Sequence, residues 1–235
     1  MKRILLIILL VTVGLVTNQA SAQDAPADTT KTDGFFNLYA GIYNLSTQFN
    51  DPAITRMALY HLLMVSGNKT GILDSLALNY HDNQKWISVA LVTKENLKFN
   101  PDNELALELA GLAYENLGIK DKSLEQYESL FLKNDKTGTL YKVSFLQYEL
   151  KRYKEALASA EILLNRTDID KQKLYFPKVD KSQQEVTMKS ALLNLKGLIA
   201  EEEGDIPKAK EYYLEALKDT PGFEVAQKNL QSAGK

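Results

Sequence analysis

The sequence predicts an all-α protein, a right-handed superhelical stack of helix hairpins closed by a C-terminal capping helix. Three observations support this prediction. Apolar side chains recur at intervals of three and four residues from residue 35 onward, which is the period of a helix that packs on one face. Gly and Pro interrupt the pattern, so the helices are short. The pattern also repeats, because Val89 to Ser123 and Pro101 to Asp135 are each 34 residues apart.

The first 22 residues have the composition of a bacterial signal peptide. Lys2 and Arg3 precede a largely apolar run over residues 4–16, and an Ala-Ser-Ala sequence ends at Ala22. The run is shorter than the roughly 20 residues needed to span a bilayer. We therefore expect cleavage after Ala22 and no membrane span in the mature chain. The expected location is the periplasm, with secretion as the second choice.

Charge and composition disfavour several classes of function. The chain has 28 basic and 30 acidic residues, and loss of Lys2 and Arg3 on cleavage leaves 26 against 30, a formal net charge of −4. A nucleic-acid-binding protein needs a clustered basic face, whereas the basic residues here alternate with Glu on predicted outward helix positions. The absence of Cys excludes disulfides and thiolate zinc sites. We expect no nucleic-acid partner, no cofactor and no metal.

The segment after the signal peptide begins with a polar leader. Residues 23–34 contain no large apolar side chain, which predicts a flexible segment. Residues 35–67 then form a helix pair, with Tyr39 and Tyr43 on one face of the first helix and Pro52 in the first turn of the second. This pair lacks the residue pattern of the later hairpins. We expect a divergent N-terminal pair that covers the open end of the stack.

The clearest hairpin covers residues 190–221, where small residues lie on the facing sides of two predicted helices. The residues that carry the pattern are Gly197, Ala200, Gly204, Ala209, Tyr213, Ala216 and Pro221. This pattern resembles the tetratricopeptide repeat, a helix-turn-helix unit of about 34 residues with small residues at set places and Pro near its end. Leu193 stands where the family often has a large aromatic residue. The chain as a whole resembles exported bacterial tetratricopeptide-repeat proteins.

The resemblance implies a repeat domain over residues 68–233 that contains one insertion. Ala156 and Ala209 are 53 residues apart, which is 19 more than one period of 34. The surplus lies at residues 167–187, and its Leu-Tyr-Phe run predicts a long loop or a short hairpin that folds Tyr175 and Phe176 back onto the stack. Contact of this run with a partner is the alternative. The final apolar face, around residues 223–232, predicts the capping helix.

The sequence offers little for catalysis. His61 and His81 are its only histidines, Cys is absent, and neither a G-x-S-x-G nor an H-E-x-x-H motif occurs. The consecutive residues Glu201, Glu202 and Glu203 point in different directions on a helix, so they are poorly placed to act on one bond. We therefore expect a protein that is not an enzyme.

The resemblance implies that a partner binds in a concave groove lined by the first helix of each hairpin. We expect a non-catalytic protein-protein interaction or scaffold protein of the bacterial cell envelope, which binds a partner peptide or protein. The predicted groove residues are Glu108, Leu112, Glu115, Asn116, Tyr141, Phe145, Tyr148, Glu149, Asn194, Leu198 and Glu201. The same face adds Asp74, Leu78, His81 and Glu202. Its carboxylates favour a partner with basic side chains.

Two alternatives remain open from the sequence. Tyr141, Phe145 and Tyr148 form an aromatic stripe at intervals of four and three residues. This stripe fits either a helix buried on two sides or a peptide contact, because aromatic side chains are frequent binding anchors. The alternative function is a glycan or small-molecule binding protein with a pocket closed by the insertion at residues 167–187.

Overall fold

The computed structural model describes residues 33–167 and 169–235. The predicted signal peptide and residues 23–32 of the predicted leader lie outside the described residues. The described part contains eleven α-helices and a single two-stranded sheet, so the all-α prediction is confirmed. None of these described helices is long and apolar enough to cross a membrane. The chain divides into two compact units, with the boundary between Thr139 and Leu140.

The N-terminal unit consists of three successive helix hairpins. Its helices are α1 (Asp33–Gln48), α2 (Pro52–Val65), α3 (Lys69–Asp82), α4 (Trp86–Phe99), α5 (Glu104–Asn116) and α6 (Lys120–Asn134). Consecutive helices pair as α1 with α2, α3 with α4, and α5 with α6, and α4 also packs on α5. Each hairpin therefore rests on its neighbour through apolar residues such as Ala77, Val89 and Leu109.

Polar side chains cap the first turns of α2, α3 and α5. The Asp51 carboxylate accepts hydrogen bonds from the backbone N–H groups of Ala53 and Ile54, each at 3.1 Å, and Pro52 occupies the first turn of α2. Asn68 caps α3 and Asn103 caps α5 in the same way. Such side chains satisfy N–H groups that have no partner within the helix. Asp51 thus caps the second helix of the first hairpin, and Asn68 and Asn103 cap the first helices of the next two.

The C-terminal unit is centred on one helix. Its elements are α7 (Thr137–Glu149), which crosses the unit boundary, α8 (Tyr153–Leu164), β1 (Lys173–Pro177), β2 (Gln183–Thr187), α9 (Met188–Glu202), α10 (Ile206–Asp219) and α11 (Glu224–Ser232). Eleven of the 15 residues of α9 are buried, because α8, α10 and the strands all pack around it. Gly204, with φ 85°, makes the tight turn from α9 to α10.

The predicted insertion contains a short 3₁₀ turn, Ile169–Lys171, followed by an antiparallel hairpin of β1 and β2. Leu174 and Val186 face each other across the two strands and are buried. Phe176 is also buried, and its ring lies edge-on to Phe223 with a centroid distance of 4.9 Å. Tyr175 was expected to pack beside Phe176 but is 43% exposed. Adjacent residues of a strand point to opposite faces, so only one of these two rings can pack inward.

The C-terminal helix α11 covers one side of the last hairpin. Phe223 and Ala226 are fully buried, and the side-chain amide of Asn229 donates a 2.9 Å hydrogen bond to the side-chain oxygen Oδ1 of Asn194 on α9. Both Asn residues are buried. The helix therefore shields the inner side of α9 as well as closing the end of the unit.

Candidate protein-interaction site

The predicted groove residues divide between the two units. Four of them lie on α5 in the N-terminal unit, where Glu108 and Asn116 are exposed and Leu112 and Glu115 are half-buried. The Asn116 amide donates to the Leu112 carbonyl at 2.9 Å, one helical turn back. Burial and the charges of Glu115 and Glu108 raise the pKa of Tyr127, so these carboxylates lie near that phenol.

Three predicted groove residues of the C-terminal unit are buried. Tyr141 is 3% exposed and Asn194 is 5% exposed, and Leu198 packs in a cluster with Ala200 and Tyr213. Burial raises the pKa of Tyr141. These side chains do not form part of the solvent-facing surface. Asn194 is buried because α11 covers it, with the side chain of Asn229 hydrogen-bonded to that of Asn194.

The other four predicted residues of this unit lie together, and two further residues join them. We call this group the acidic aromatic patch and define it as Phe145, Tyr148, Tyr153, Glu149, Glu201 and Glu202. Glu202 is exposed and the other five residues are half-buried. The patch therefore combines partly accessible rings with partly accessible carboxylates. It lies entirely within the C-terminal unit.

The turn between α7 and α8 places the three rings side by side. Phe145 and Tyr148 are one helical turn apart on α7, with ring centroids 6.2 Å apart. Lys151 has a left-handed backbone, φ 61°, which reverses the chain after α7. Tyr153 then begins α8 with its ring centroid 6.1 Å from that of Tyr148. A tilted arrangement at this distance is favourable for aromatic pairs.

Small and branched residues beneath the rings fix their positions. Phe145, Tyr148 and Tyr153 pack against a buried cluster of Ala156 on α8 with Leu195 and Ile199 on α9. The seam between the α7–α8 hairpin and α9 is thus filled by the inner parts of the rings, and their outer parts remain accessible. Rings held in this way lose little conformational entropy when a partner binds.

The carboxylates of α9 are held beside these rings by phenol groups. The hydroxyl of Tyr153 donates to Glu202 Oε2 at 3.3 Å, and the hydroxyl of Tyr213 donates to Glu201 Oε2 at 3.0 Å. Consecutive Glu residues point in different directions on a helix. Each of the two carboxylates therefore reaches a different phenol at the last turn of α9.

The electrostatic field at the patch is negative. Burial, together with the charges of Glu202, Glu201 and Glu149, raises the pKa of Tyr148 to about 12. Burial and the Glu202 charge likewise raise the pKa of Tyr153. The neighbouring guanidinium of Arg152 is paired with Glu155, on the first turn of α8. A basic side chain is therefore the complementary group for this surface.

The patch combines protonated phenols with ionised carboxylates. Burial and the neighbouring carboxylates raise the pKa of Tyr148, which favours the protonated form of its hydroxyl. No group of three or more His, Cys, Asp or Glu side chains in residues 33–167 and 169–235 is placed to hold a metal ion. What the patch presents is a set of fixed aromatic surfaces bordered by negative charge.

Sequence reasoning missed Tyr153 as a member of this site. Tyr153 begins the second helix of its hairpin, whereas the groove was predicted on first helices only. Its contact with Tyr148 depends on the left-handed turn at Lys151. The available signal was the short separation of two Tyr residues around a predicted turn. The wider predicted face did include Glu202.

Solved structures with the same architecture span most of this chain. The MamA protein gives a TM-score of 0.60 at 15% identity, over 80% of this chain and 92% of its own. YrrB, a tetratricopeptide-repeat protein with an unusual peptide-binding site, gives 0.64 at 12% identity, over 81% and 89%. A tetratricopeptide-repeat protein from Parabacteroides merdae gives 0.61 at 14% identity, over 84% and 71%.

These similarities establish the fold. No family model and no curated protein matches the sequence. The chain nevertheless has the tetratricopeptide-repeat fold, so the resemblance predicted from Gly197, Ala209 and their neighbours is confirmed at the level of structure.

Proposed function

We propose that this chain is a non-catalytic scaffold that holds a partner protein or peptide on the acidic aromatic patch. The observation that carries the proposal is the row of three adjacent rings, Phe145, Tyr148 and Tyr153, beside the carboxylates of Glu201 and Glu202. Aromatic residues in partly desolvated positions contribute much of the energy of protein interfaces.

The partner's contact segment carries basic side chains. Lys or Arg groups gain both from the carboxylates of the patch and from the faces of its rings. The similarity to YrrB supports a peptide as the bound form, because that protein of the same fold has a peptide-binding site. Charge complementarity also speeds association and makes it sensitive to salt.

The proposed setting is the bacterial cell envelope. It rests on the signal-peptide character of the first 22 residues, with Lys2 and Arg3 before an apolar run and Ala22 at the cleavage site. Intact-mass measurement of the protein from a periplasmic fraction tests this directly. A chain that begins at Gln23 is the expected species. A chain that retains residues 1–22 and stays in the cytoplasm would contradict the proposed setting.

Glycan or small-molecule binding at the insertion gains no support from the structure. That hypothesis requires the insertion to close over a pocket. The apolar side chains of the insertion are instead buried by packing within the C-terminal unit, as shown by Leu174, Phe176 and Val186. The insertion is better explained as a structural element that fills the space between α9 and the start of α11.

Site-specific photo-crosslinking tests the proposed binding surface. A benzoyl-phenylalanine residue replaces Glu203, an exposed residue beside the patch whose charge acts on Tyr153, or Glu211, an exposed position on α10 that serves as the control. We expect a partner to be captured in intact cells from position 203 and not from position 211. The same capture is expected to fail when Tyr153→Ala and Glu201→Gln are added, while the helical circular dichroism is retained.

Two results would contradict the assignment of the patch. Equal capture from positions 203 and 211 would show that crosslinking does not depend on this surface. Undiminished capture by the protein with Tyr153→Ala and Glu201→Gln would show that neither the ring nor the carboxylate takes part in binding.

A further inference from the structure

A polar cleft lies in the N-terminal unit between the first two hairpins. Its volume is about 310 Å³, and its walls come from the last turns of α1 and α3 and from the turn that leads into α2. The side chains of Tyr43, Ser75 and Leu78 are among those that line it. Leu78 also belongs to the face on which sequence reasoning placed the groove. The cleft belongs to one compact unit and is independent of the acidic aromatic patch.

The floor of the cleft is formed by buried hydroxyl groups. Ser46 and Thr55 line the cleft and are only 6% and 7% exposed. Their hydroxyls are hydrogen-bonded to each other at 2.9 Å. Ser46 donates its own proton to the Tyr43 carbonyl at 3.0 Å, and Thr55 lies 2.8 Å from the Asp51 carbonyl. The proton of Ser46 is therefore donated within the protein, and its oxygen can act toward the cavity only as an acceptor.

The hydroxyls and amides of the walls show the same preference. Thr47 donates to the Tyr43 carbonyl at 2.8 Å, and Ser75 donates to the Gly71 carbonyl at 3.0 Å. The Asn83 amide donates to the Asn79 carbonyl at 2.7 Å. A hydroxyl whose proton is already donated can only accept a further hydrogen bond. The hydroxyls of Ser46, Thr47 and Ser75 therefore offer acceptors to the cleft.

The charge of the cleft is negative as well. Asp51 and Asp82 line it, and Asp82 Oδ1 lies 3.0 Å from His81 Nδ1. No Lys or Arg is among the lining residues, but the guanidinium of Arg56 reaches the wall of the cleft, where it donates to Asn79 Oδ1 at 2.9 Å and lies 5.1 Å from the centre of the Tyr80 ring. The two carboxylates outnumber this one cation. The C-terminal ends of α1 and α3 border the cleft, and helix C-termini carry partial negative charge. The N-terminus of α2 carries the opposite charge but is capped by Asp51.

We propose that this cleft binds a guanidinium group. A guanidinium is planar, permanently charged and carries five N–H donors with no acceptor, which complements a cavity rich in acceptors and carboxylates. An ammonium group offers three donors at a single point and matches fewer of the oxygens around the cavity. The group is supplied either by an arginine side chain of a bound polypeptide or by a small free molecule such as agmatine. The chemistry of recognition is the same for both sources.

Nuclear magnetic resonance titration of the full chain tests this proposal. The probes are N-acetyl-arginine methylamide and the neutral citrulline derivative of the same shape. We expect saturable shifts of the Asn79 and Asn83 side-chain amides and of the backbone of residues 47–51 with the arginine probe. We expect none with the citrulline probe. Equal shifts with both probes, or shifts that do not saturate, would overturn the proposal.

Charge variants show whether the cleft itself is responsible. Asp82→Asn removes the negative charge of a side chain that is 73% exposed and lies at the end of α3, so the fold tolerates it. This variant is expected to weaken binding about threefold or more, since exposed charge pairs contribute modestly. Glu125→Gln makes the same charge change on the exposed face of α6 and is expected to leave binding unchanged. Equal affinity of both variants would overturn the assignment.

Two further probes identify the source and the chemical class. Tighter binding of N-acetyl-arginine methylamide than of agmatine indicates a polypeptide side chain, and the reverse indicates a free molecule. The lysine analogue is expected to bind more weakly than the arginine probe. Equal binding of the lysine analogue would contradict recognition of a guanidinium group.

Discussion

Gly197 on α9 lies directly against the ring of Tyr213 on α10, so close that a β-carbon at position 197 would overlap with ring atoms. The same relationship occurs between α5 and α6, where a β-carbon at Gly111 would lie 2.8 Å from Tyr127 Cε2. In both hairpins the two residues are 16 positions apart. The absence of a side chain at Gly thus makes room for a buried Tyr ring on the next helix. This packing of ring against backbone determines how closely the two helices approach.

Gly197→Ala is expected to destabilise the protein. Overpacking costs roughly 1 to 3 kcal/mol, which exceeds the roughly 1 kcal/mol that Ala adds to a helix relative to Gly. Tyr213 has little freedom to move because it is fully buried and its hydroxyl is bonded to Glu201. Urea unfolding measures the change in free energy.

Gly138→Ala is the matched control for this prediction. Gly138 lies in the first turn of α7, and nothing lies within 4 Å of the position its β-carbon would occupy. Its replacement is expected to leave stability unchanged or to raise it by up to about 1 kcal/mol. Close packing of α9 on α10 would be refuted by a Gly197→Ala protein as stable as the unsubstituted one.

Phe176 and Tyr175 provide a test of the insertion with neighbouring residues. Phe176→Ala removes a buried ring that contacts Phe223, and loss of such a ring costs about 3 to 5 kcal/mol. Tyr175→Ala removes a side chain on the opposite, exposed face of the same strand, so a change within about 0.5 kcal/mol is expected. Thermal unfolding of both variants distinguishes a structural hairpin from a binding loop. Similar losses for both would contradict the observed strand register.

The lowered pKa of Asp219 predicts that the protein loses stability as the pH becomes acidic. Burial raises the pKa of this carboxyl, but hydrogen bonds from Thr187 and Ser190 outweigh that effect and hold it below its ordinary value. A carboxyl with a lowered pKa in the folded state stabilises the protein above its unfolded pKa, near 3.9, and loses this contribution as pH falls.

Asp219→Asn should therefore reduce stability at pH 7 and have little effect near pH 2. Urea unfolding at the two pH values measures the difference, and Glu215→Gln, an exposed charge change on the same helix, is the control. An equal effect of Asp219→Asn at both pH values would show that the charge of Asp219 does not stabilise the contact between the end of α10 and the start of α9.

The repeat architecture could be predicted from sequence because it depends on the spacing of small and apolar residues that are near each other in the chain. Gly197, Ala209 and Pro221 fall at set intervals along one chain segment, and helix periodicity needs no knowledge of distant contacts. The insertion was located by the same arithmetic, from the excess length between Ala156 and Ala209.

The candidate site could be predicted only in part, because accessibility depends on which elements cover a face. Asn194 lies on the predicted inner face of its helix, but α11 covers it through Asn229. Tyr153 joins the patch only because the turn at Lys151 brings it beside Tyr148. Neither relationship leaves a periodic signal in the sequence. Within the predicted aromatic stripe, Tyr141 is therefore buried while Phe145 and Tyr148 remain partly accessible, a difference that their spacing does not predict.

Peptides that share their apolar residues but differ in charge test whether the acidic aromatic patch binds a basic partner. A panel of labelled peptides with the same apolar residues and either Lys and Arg, Gln, or Glu at the remaining positions is measured by fluorescence anisotropy. The basic peptides are expected to bind more tightly than the neutral and acidic ones. Their binding is expected to weaken as salt is added and to fall further with Glu201→Gln and Glu202→Gln. Equal binding of basic and acidic peptides, or binding that these two substitutions leave unchanged, would contradict the proposal that the patch binds a basic partner.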